Sequence, residues 1–199
     1  IGRWYGGLAL DRYALPPDLA ARVRTMVSGA RSARDTAAII QRWVAQDIRY
    51  VSIALGIGGY QPRMPTEVVA SCFGDCKDKA QLLVTMLREL GIPARPALVS
   101  TTYGSHIAEL HPTAAQFDHA IVRAEVEGRE YWLDPTALYQ RGSLESVSAQ
   151  YGAGLVLGAP GDSLAPMPRV AAAEPVEAPA APVACIAARQ VSIPSPTIS

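Results

Sequence analysis

Apolar side chains recur at every third or fourth position between residues 76 and 90, as they do on the buried face of an amphipathic helix. Gly91 and Pro93 follow this segment and supply a stop signal. The pattern therefore predicts a helix over 76–90 with one face against a core. That face consists of Ala80, Leu83, Met86, Leu87 and Leu90.

A second, alternating pattern begins at His119 and predicts a strand over 119–126. The pair Glu127-Gly128 is a turn signal, and residues 129–133 predict the returning strand. With a two-residue loop, His119 and Asp134 become diagonal neighbours on one face of the hairpin. A slip of one residue would move Asp134 to the other face. That other face carries Val122, Ala124, Tyr131 and Leu133, which suits a core.

The remaining patterns predict helices in the first half of the chain and strands mostly in the second. Helices are predicted from Pro16 to about Ser28, over 33–47 and from Pro65, and strands over 48–53, 94–101 and 154–157. This order is typical of an α+β fold. We expect N-terminal helices and the 76–90 helix to pack on an antiparallel sheet.

Cys76 falls on the first turn of the predicted 76–90 helix. Gly74 permits a sharp entry to this helix, and Asp75 is a good N-cap residue. Free backbone N–H groups and the positive end of the helix converge there, which favours a nucleophilic thiolate and could hold an oxyanion. The alternative is that Cys76 is a small apolar residue at the start of a core helix, since most free cysteines are buried and inert.

A nucleophilic thiolate needs a base, and the base needs a group that orients it. Two of the three histidines, His106 and His111, lie in a stretch without a periodic pattern, which predicts a loop. His119 instead opens a predicted strand, where Asp134 is its diagonal neighbour. His119 is therefore the candidate base, and Asp134 is the candidate orienting acid.

Three short segments resemble the three sequence blocks of the transglutaminase-like superfamily, and in particular of its bacterial branch. They are Gly-Asp-Cys-Lys-Asp-Lys-Ala at 74–80, Phe-Asp-His-Ala at 117–120 and Tyr-Trp-Leu-Asp-Pro-Thr at 131–136. The resemblance extends upstream through 49–51 and 56–62, and it covers most of the chain up to about residue 168. Each block alone is weak, but three blocks in the same order strongly indicate the superfamily.

The resemblance implies a papain-like, transglutaminase-like fold with a Cys–His–Asp triad, which the blocks place at Cys76, His119 and Asp134. Such a triad transfers the acyl group of an amide through a thioester, with water or an amine as the acceptor. The implied partner is a peptide or protein substrate. The same fold with a triad-like site could also serve as a peptide-binding or scaffolding module without turnover.

An oxyanion hole usually needs a second donor beside the backbone N–H of the nucleophile. Gln61 is our candidate, because a side-chain amide ahead of the cysteine serves this purpose in papain-like enzymes generally. Tyr60 and Trp43 are alternatives. Each of these residues could instead have only a structural role. Gln61 could be a turn residue, Tyr60 could pack against its neighbours, and Trp43 could belong to a buried helix face.

Lys77 and Lys79 are the only lysines in the chain, and both lie beside the candidate nucleophile. A nearby cation would favour the thiolate. We expect instead that both lysines face solvent or pair with Asp78 and other carboxylates.

The sequence predicts no resident metal or cofactor. The spacing of Cys72 and Cys76 suggests a metal site, but structural zinc sites usually show two such pairs and the chain has no second one. The acidic residues are scattered and form no calcium loop. The segment 56–59 lacks the pattern of a phosphate-binding loop, so we interpret it as a flexible turn near the site.

The chain has 199 residues, enough for one domain with a substantial core. Its 18 basic and 18 acidic residues give no net charge and form no basic stripe, so we expect no nucleic-acid partner. No apolar run is long enough to span a bilayer, and no signal or transit peptide is visible. A location in the bacterial envelope or periplasm is expected from the resemblance alone.

The composition of the chain changes at Ala159. Eight of the sixteen prolines lie in 159–199, alongside runs of alanine. Such a segment offers little apolar area to offset the entropy of ordering. We therefore expect a catalytic domain over 1–158 and a linker or unfolded tail over 159–199. The alternative is that the Pro-rich segment lies in the substrate groove.

Overall fold

Helices dominate the first part of the chain in the computed structural model, which describes residues 1–9, 15–52, 56–140, 142–158 and 164–169. The helices are α1 (Gly2–Ala9), α2 (Pro17–Met26), α3 (Ala33–Asp47), α4 (Pro65–Ser71) and α5 (Cys76–Glu89). Short 3-10 helices cover Gly56–Gly59, Gly104–Glu109 and Ala114–Gln116. Within these described ranges, no helix is both long enough and apolar enough to cross a membrane.

Strands dominate the second part of the chain. They are β1 (Arg49–Tyr50), β2 (Phe73–Gly74), β3 (Ala94–Val99), β4 (His119–Val126), β5 (Arg129–Leu133), β6 (Ala153–Val156) and β7 (Leu164–Pro166). β1 and β2 form a small parallel pair, and the other strands form an antiparallel sheet in the order β5-β4-β3-β6-β7. The fold is therefore α+β, as the sequence predicts.

β4 and β5 form the predicted hairpin, in which Val122 faces Leu133. The two loop residues, Glu127 and Gly128, have φ angles of 52° and 72°. Positive φ at both positions is typical of the two-residue turns that match the twist of a hairpin. The predicted register is confirmed, and the pairing of the two strands ends just before Asp134.

α5 is buried between the other helices and the sheet. It contacts α2, α3 and α4, and also β3 and β4. The predicted apolar face is buried except for Leu90, which is partly buried. The polar side is buried as well, so its groups need internal partners. Gln81 donates to the backbone oxygen of Ala9 at 3.0 Å, and Thr85 donates to that of Gln81 at 2.8 Å.

The two lysines of α5 differ, and the prediction for one of them is wrong. Lys77 donates to the carboxylate of Asp75, as expected. Lys79 is completely buried, and its Nζ donates to the backbone oxygens of Ala45 and Ile48 at 3.1 and 2.6 Å. At the C-terminal end of α3, carbonyls lack helical partners and the helix dipole favours a cation. Burial lowers the pKa of Lys79 to about 8.

The sheet is covered on both faces. The predicted inner face of the hairpin belongs to the main core, with Val122, Ala124, Tyr131 and Leu133. The opposite face carries a smaller cluster, whose buried members are Ala97, Val99, Ile121, Trp132, Ala149, Val156 and Met167. Gly154 leaves room for the indole of Trp132, because a Cβ at this glycine would lie 2.8 Å from the ring.

The sequence patterns do not predict α1. Its sequence is GRWYGGLA, and its glycines weaken helix propensity and interrupt the apolar periodicity. Tyr5 and Ala9 of α1 are nevertheless buried. Tertiary packing therefore stabilises this helix, which no local pattern in the chain could indicate.

Part of the segment predicted as a tail belongs to the sheet. β7 pairs with β6, with Leu164 facing Leu155, and Met167 just beyond β7 is buried in the smaller cluster. The sequence does not indicate this strand, because it is three residues long and ends in Pro166. The sheet therefore extends beyond the boundary predicted at residue 158. Residues 170–199 lie outside the described part of the chain.

Removal of β7 should destabilise the protein. A chain that ends at residue 158 loses the pairing with β6 and the burial of Met167, whereas a chain that ends at residue 169 keeps both. We expect the shorter chain to have a free energy of unfolding lower by about 2–4 kcal/mol, measured by urea denaturation. Equal stability of the two chains would show that β7 contributes nothing to the domain.

Candidate active site

The start of α5 is fixed by a reciprocal pair of aspartates. The carboxylate of Asp75 accepts a hydrogen bond from the backbone N–H of Asp78 at 3.2 Å. In return, the carboxylate of Asp78 accepts a hydrogen bond from the backbone N–H of Asp75 at 3.3 Å. Gly74 precedes the pair, and a Cβ at this position would lie 2.8 Å from the Cβ of Asp78. Cys76, the first helical residue, is thus held at a rigid and positive helix end.

Arg63 supports this helix start from the segment before α4. Its backbone N–H and its Nε donate to the two carboxylate oxygens of Asp78 at 2.8 and 2.9 Å. Its guanidinium also donates to the backbone oxygen of Phe73 and lies 4.5 Å from the centre of the Phe73 ring. Arg63 therefore neutralises the buried Asp78. The sequence does not predict this contact, because no local pattern links residues 63 and 78.

The structure brings together the three residues of the predicted triad. Cys76 begins α5, His119 begins β4, and the two side chains line the same cavity, close enough that Cys76 raises the pKa of His119. The Nε2 atom of His119 lies 2.9 Å from Oδ2 of Asp134, which directly follows β5. Because Nε2 faces the carboxylate, Nδ1 is the ring nitrogen left for the thiol. Thiol, imidazole and carboxylate are thus arranged in series.

Both carboxylate oxygens of Asp134 have further donors. Oδ1 accepts from the backbone N–H and the hydroxyl of Thr136 at 2.8 and 2.7 Å. Oδ2, which faces His119, also accepts from the hydroxyl of Tyr151 at 2.7 Å. The side chain of Gln41 donates to the backbone oxygen of Asp134 at 2.8 Å. The sequence does not predict Gln41 or Tyr151, because they lie 93 and 17 residues away along the chain.

The His119–Asp134 pair is charged in the folded protein. Burial alone would lower the pKa of His119, but the hydrogen bonds and charges of Asp134 and Cys76 raise it to about 10. Burial alone would raise the pKa of Asp134, but His119, Tyr151 and Thr136 lower it to about 2. Near neutral pH the pair therefore consists of an imidazolium and a carboxylate.

This charged pair makes the stability of the protein depend on pH. The folded-state pKa of Asp134 is depressed, so its contribution is complete above about pH 4 and is lost as the pH falls toward about 2. The folded-state pKa of His119 is raised, so its contribution is complete below about pH 6.5 and is lost toward about pH 10. We expect urea denaturation to show the greatest free energy of unfolding between about pH 4 and pH 6.5.

Two variants test this expectation. Asp134→Asn should make the free energy of unfolding depend less on pH at both the acidic and the basic end of the range. It removes one titrating charge and the partner that raises the pKa of His119. The exposed residue His106 provides the control, and His106→Gln should leave the profile of the natural chain unchanged. A profile that Asp134→Asn does not alter would contradict the charged pair.

The thiol and the imidazole line a cavity of about 260 Å³. Aromatic side chains form much of its wall, namely those of Trp4, Tyr5, Tyr50, Tyr60 and Phe117. The rings of Trp4 and Tyr60 pack edge to face with their centres 5.6 Å apart, and both side chains are about half exposed. The reactive groups therefore lie beside an accessible surface that is rich in aromatic rings.

Tyr50 reaches Cys76 from β1. It faces Gly74 in the parallel pair of β1 and β2, and its side chain lines the same cavity as the thiol of Cys76. Burial raises the pKa of Tyr50, and the nearby Cys76 and Asp75 add to this effect. The sequence predicts a strand at this position but not the contact, because paired strands of two residues leave no periodic pattern.

The other predicted residues lie in different places. Tyr60 lines the cavity, whereas Trp43 lies on α3 and packs, partly buried, against the main core. Gln61 follows Tyr60 and is partly buried, and its role as an oxyanion donor stays a prediction. His106 and His111 are exposed in the segment between β3 and β4, and neither lines the cavity of Cys76.

A larger cavity, of about 490 Å³, lies between the start of α3 and residues 142–145. Among its charged side chains, Arg31 pairs with Asp35, and Arg34 pairs with Glu145 and also with Glu127 outside the cavity. Among the described residues, none lines both this cavity and the cavity of Cys76, which holds the thiol and the imidazole. Across the described ranges, no three His, Cys, Asp or Glu side chains cluster as metal ligands would.

The sequence profile of the transglutaminase-like superfamily matches residues 20–134, more than half of the chain. The chain belongs to this superfamily. The match includes α5, β4 and β5 and ends at Asp134, so it spans all three residues of the candidate triad.

The first of two similar solved structures shares the fold. A candidate protease from Parabacteroides distasonis aligns with 80% of this chain at 21% identity and a TM-score of 0.56. A candidate cysteine protease from Cytophaga hutchinsonii aligns with 65% of this chain at 21% identity and a TM-score of 0.49. The chain spans 32% and 40% of the lengths of those proteins. No curated protein matches the sequence at a significant level. The superfamily match supports an enzyme of the cysteine type.

Proposed function

We propose that this protein is a cysteine-dependent acyl-transfer enzyme that acts on amide bonds through Cys76, His119 and Asp134. One observation carries the proposal. A thiol at a helix start shares a cavity with an imidazole, and Nε2 of that imidazole lies 2.9 Å from a buried carboxylate. A cysteine with only a packing role needs neither partner. The geometry therefore favours nucleophilic catalysis.

The first half of the proposed reaction forms a thioester. The thiolate of Cys76 attacks the carbonyl carbon of the amide, and the carbonyl oxygen becomes an oxyanion in a tetrahedral intermediate. The imidazolium of His119 then gives the proton on Nδ1 to the departing nitrogen. The carbon–nitrogen bond breaks, an amine leaves, and the acyl group stays on the sulfur of Cys76.

The second half releases the acyl group. Nδ1 of His119 takes a proton from water or from an incoming amine, which attacks the thioester carbon. The carbon–sulfur bond breaks and Cys76 leaves as a thiolate, with the proton held by His119. Water gives a carboxylic acid, and an amine gives a new amide. Asp134 keeps Nε2 of His119 protonated and stabilises the imidazolium throughout.

The helix start also supports stabilisation of the oxyanion. The backbone N–H of Cys76 lies in the first turn of α5, where such groups have no helical acceptor. We propose Gln61 as the second donor on the ground of its position ahead of the cysteine. Tyr50 is a competing donor, because it lines the same cavity as Cys76.

The cavity wall favours a peptide or protein substrate with an apolar side chain beside the reacting amide. Trp4, Tyr50 and Tyr60 present about half of their surfaces to solvent next to the thiol. Aromatic walls of this kind bind apolar groups and leave a few polar atoms to orient the substrate. We also propose that the substrate lies in the bacterial envelope, because the chain resembles the bacterial branch of the superfamily.

Substitution of the triad should separate chemistry from folding. We expect Cys76→Ala to abolish amide turnover, and Asp134→Asn to lower the rate by about 10²–10⁴-fold, as loss of the orienting acid does in serine triads. Turnover is measured by mass spectrometry on a library of peptides with apolar side chains. His106→Gln is the matched control and should retain full activity, because His106 is exposed and lies outside the cavity.

The thioester itself provides the second measurement. Acid quench of the protein during turnover should show an acyl adduct on the peptide that contains Cys76, and the adduct should be absent in Cys76→Ser. Release by water compared with release by glycine amide then identifies the acceptor. Full turnover in Cys76→Ala would refute the proposal, and peptide binding without any adduct or product would favour the binding module.

A further inference from the structure

Tyr151 contacts two of the three residues of the candidate triad. Its hydroxyl donates to Oδ2 of Asp134 at 2.7 Å, the same oxygen that faces Nε2 of His119. Its ring also packs edge to face on the imidazole of His119, with the ring centres 5.6 Å apart and an angle of 70° between the planes. One side chain therefore limits the motion of both partners.

The backbone around Tyr151 is held on both sides. Before it, Ser148 forms a bridge with Leu133, which brings this segment alongside the end of β5. After it, Gly152 has a φ of 78°, and a Cβ there would lie 2.4 Å from the backbone nitrogen of Ser105. Only glycine fits such a turn without a shift of the neighbouring chain. The position of Tyr151 is thus built into the fold.

The end of β7 completes this support. The backbone N–H of Met167 donates to the oxygen of Gly152 at 2.9 Å, and the sulfur of Met167 lies 3.3 Å from the backbone nitrogen of Tyr151. Met167 is itself buried in the smaller cluster. Met167, one of the described residues 164–169, therefore contributes to the placement of Tyr151, although none of those six residues lines the cavity of Cys76.

We propose that Tyr151 is a positioning residue, which fixes the carboxylate of Asp134 and the ring plane of His119 so that Nδ1 points at the thiol of Cys76. The effect of Tyr151 on kcat rests on the proposed function. Thr136 holds the other carboxylate oxygen, so Tyr151 determines the orientation of the oxygen that faces the imidazole. Small losses of alignment between reacting groups lower rates strongly.

A purely structural role makes a different prediction. Tyr151 is partly buried and packs against the smaller cluster, so its hydroxyl could simply satisfy a buried carboxylate. Tyr151→Phe keeps the ring and removes only that hydroxyl. If the hydroxyl stabilises the fold alone, the variant loses thermal stability and retains kcat. If it positions the triad, the variant loses kcat at a nearly unchanged KM.

Kinetics provide the first test. We expect Tyr151→Phe to lower kcat about tenfold with KM unchanged, which is the size that one hydrogen bond to a charged group allows. Tyr103→Phe is the matched control, because Tyr103 is 44% exposed, and it should match the natural chain. When Asp134 is already replaced by Asn, Tyr151→Phe should lower kcat less than twofold, since the effect of Tyr151 on kcat passes through Asp134. An equal tenfold loss in both backgrounds would overturn the proposal.

Proton NMR provides a second test that needs no turnover. The Nε2 proton of His119 should give a downfield resonance that is protected from exchange and disappears in Asp134→Asn. We expect Tyr151→Phe to accelerate its exchange with water about tenfold, and Tyr103→Phe to leave it unchanged. Faster exchange supports positioning even if the protein has no turnover. Unchanged exchange in Tyr151→Phe overturns the inference, even if the triad is catalytic.

Discussion

The contact between the start of α5 and the start of β4 is the constraint on which the site depends. α5 is enclosed by helices and by the sheet, so its axis and its rotation are fixed. This enclosure places Cys76 beside His119 without help from a flexible loop. Sites on buried elements hold their geometry better than sites on loops. The same packing forces the polar side of α5 to find partners inside the protein.

Several of the buried polar groups around the candidate site are charged. Arg63 neutralises Asp78 at the helix start, and Lys79, the next residue of α5, occupies the C-terminal end of α3. Asp134 is compensated by His119. Buried charges are costly unless they are paired and hydrogen-bonded. Removal of one partner would therefore affect the thiol through the position of α5 as well as through its charge.

The sequence predicts the elements that have a local signal. The hairpin register follows from the two-residue turn at Glu127-Gly128, and this register is enough to bring His119 and Asp134 together. The position of Cys76 follows from the cap at Asp75 and from the apolar period of α5. Family blocks strengthen both inferences, but the geometry already follows from turn chemistry and periodicity.

The contacts without a local signal are not predicted. Tyr50, Tyr151 and Gln41 reach the site through pairing of very short strands or through single side-chain bonds between distant segments. Burial of Lys79 depends on where α3 ends in space, which the pattern of α5 cannot encode. α1 and β7 are short and contain glycine or proline, so tertiary packing overrides weak propensity there.

The most direct test of the account is the rate at which iodoacetamide alkylates Cys76 at about pH 6, read by peptide mass spectrometry. His119 shares the cavity of Cys76 and should activate its sulfur toward an electrophile, so we expect alkylation at least about tenfold faster than that of a cysteine in a short peptide. His119→Gln should remove the difference. Reactivity equal to that of the peptide, and unchanged by His119→Gln, would contradict the activation of Cys76 by His119.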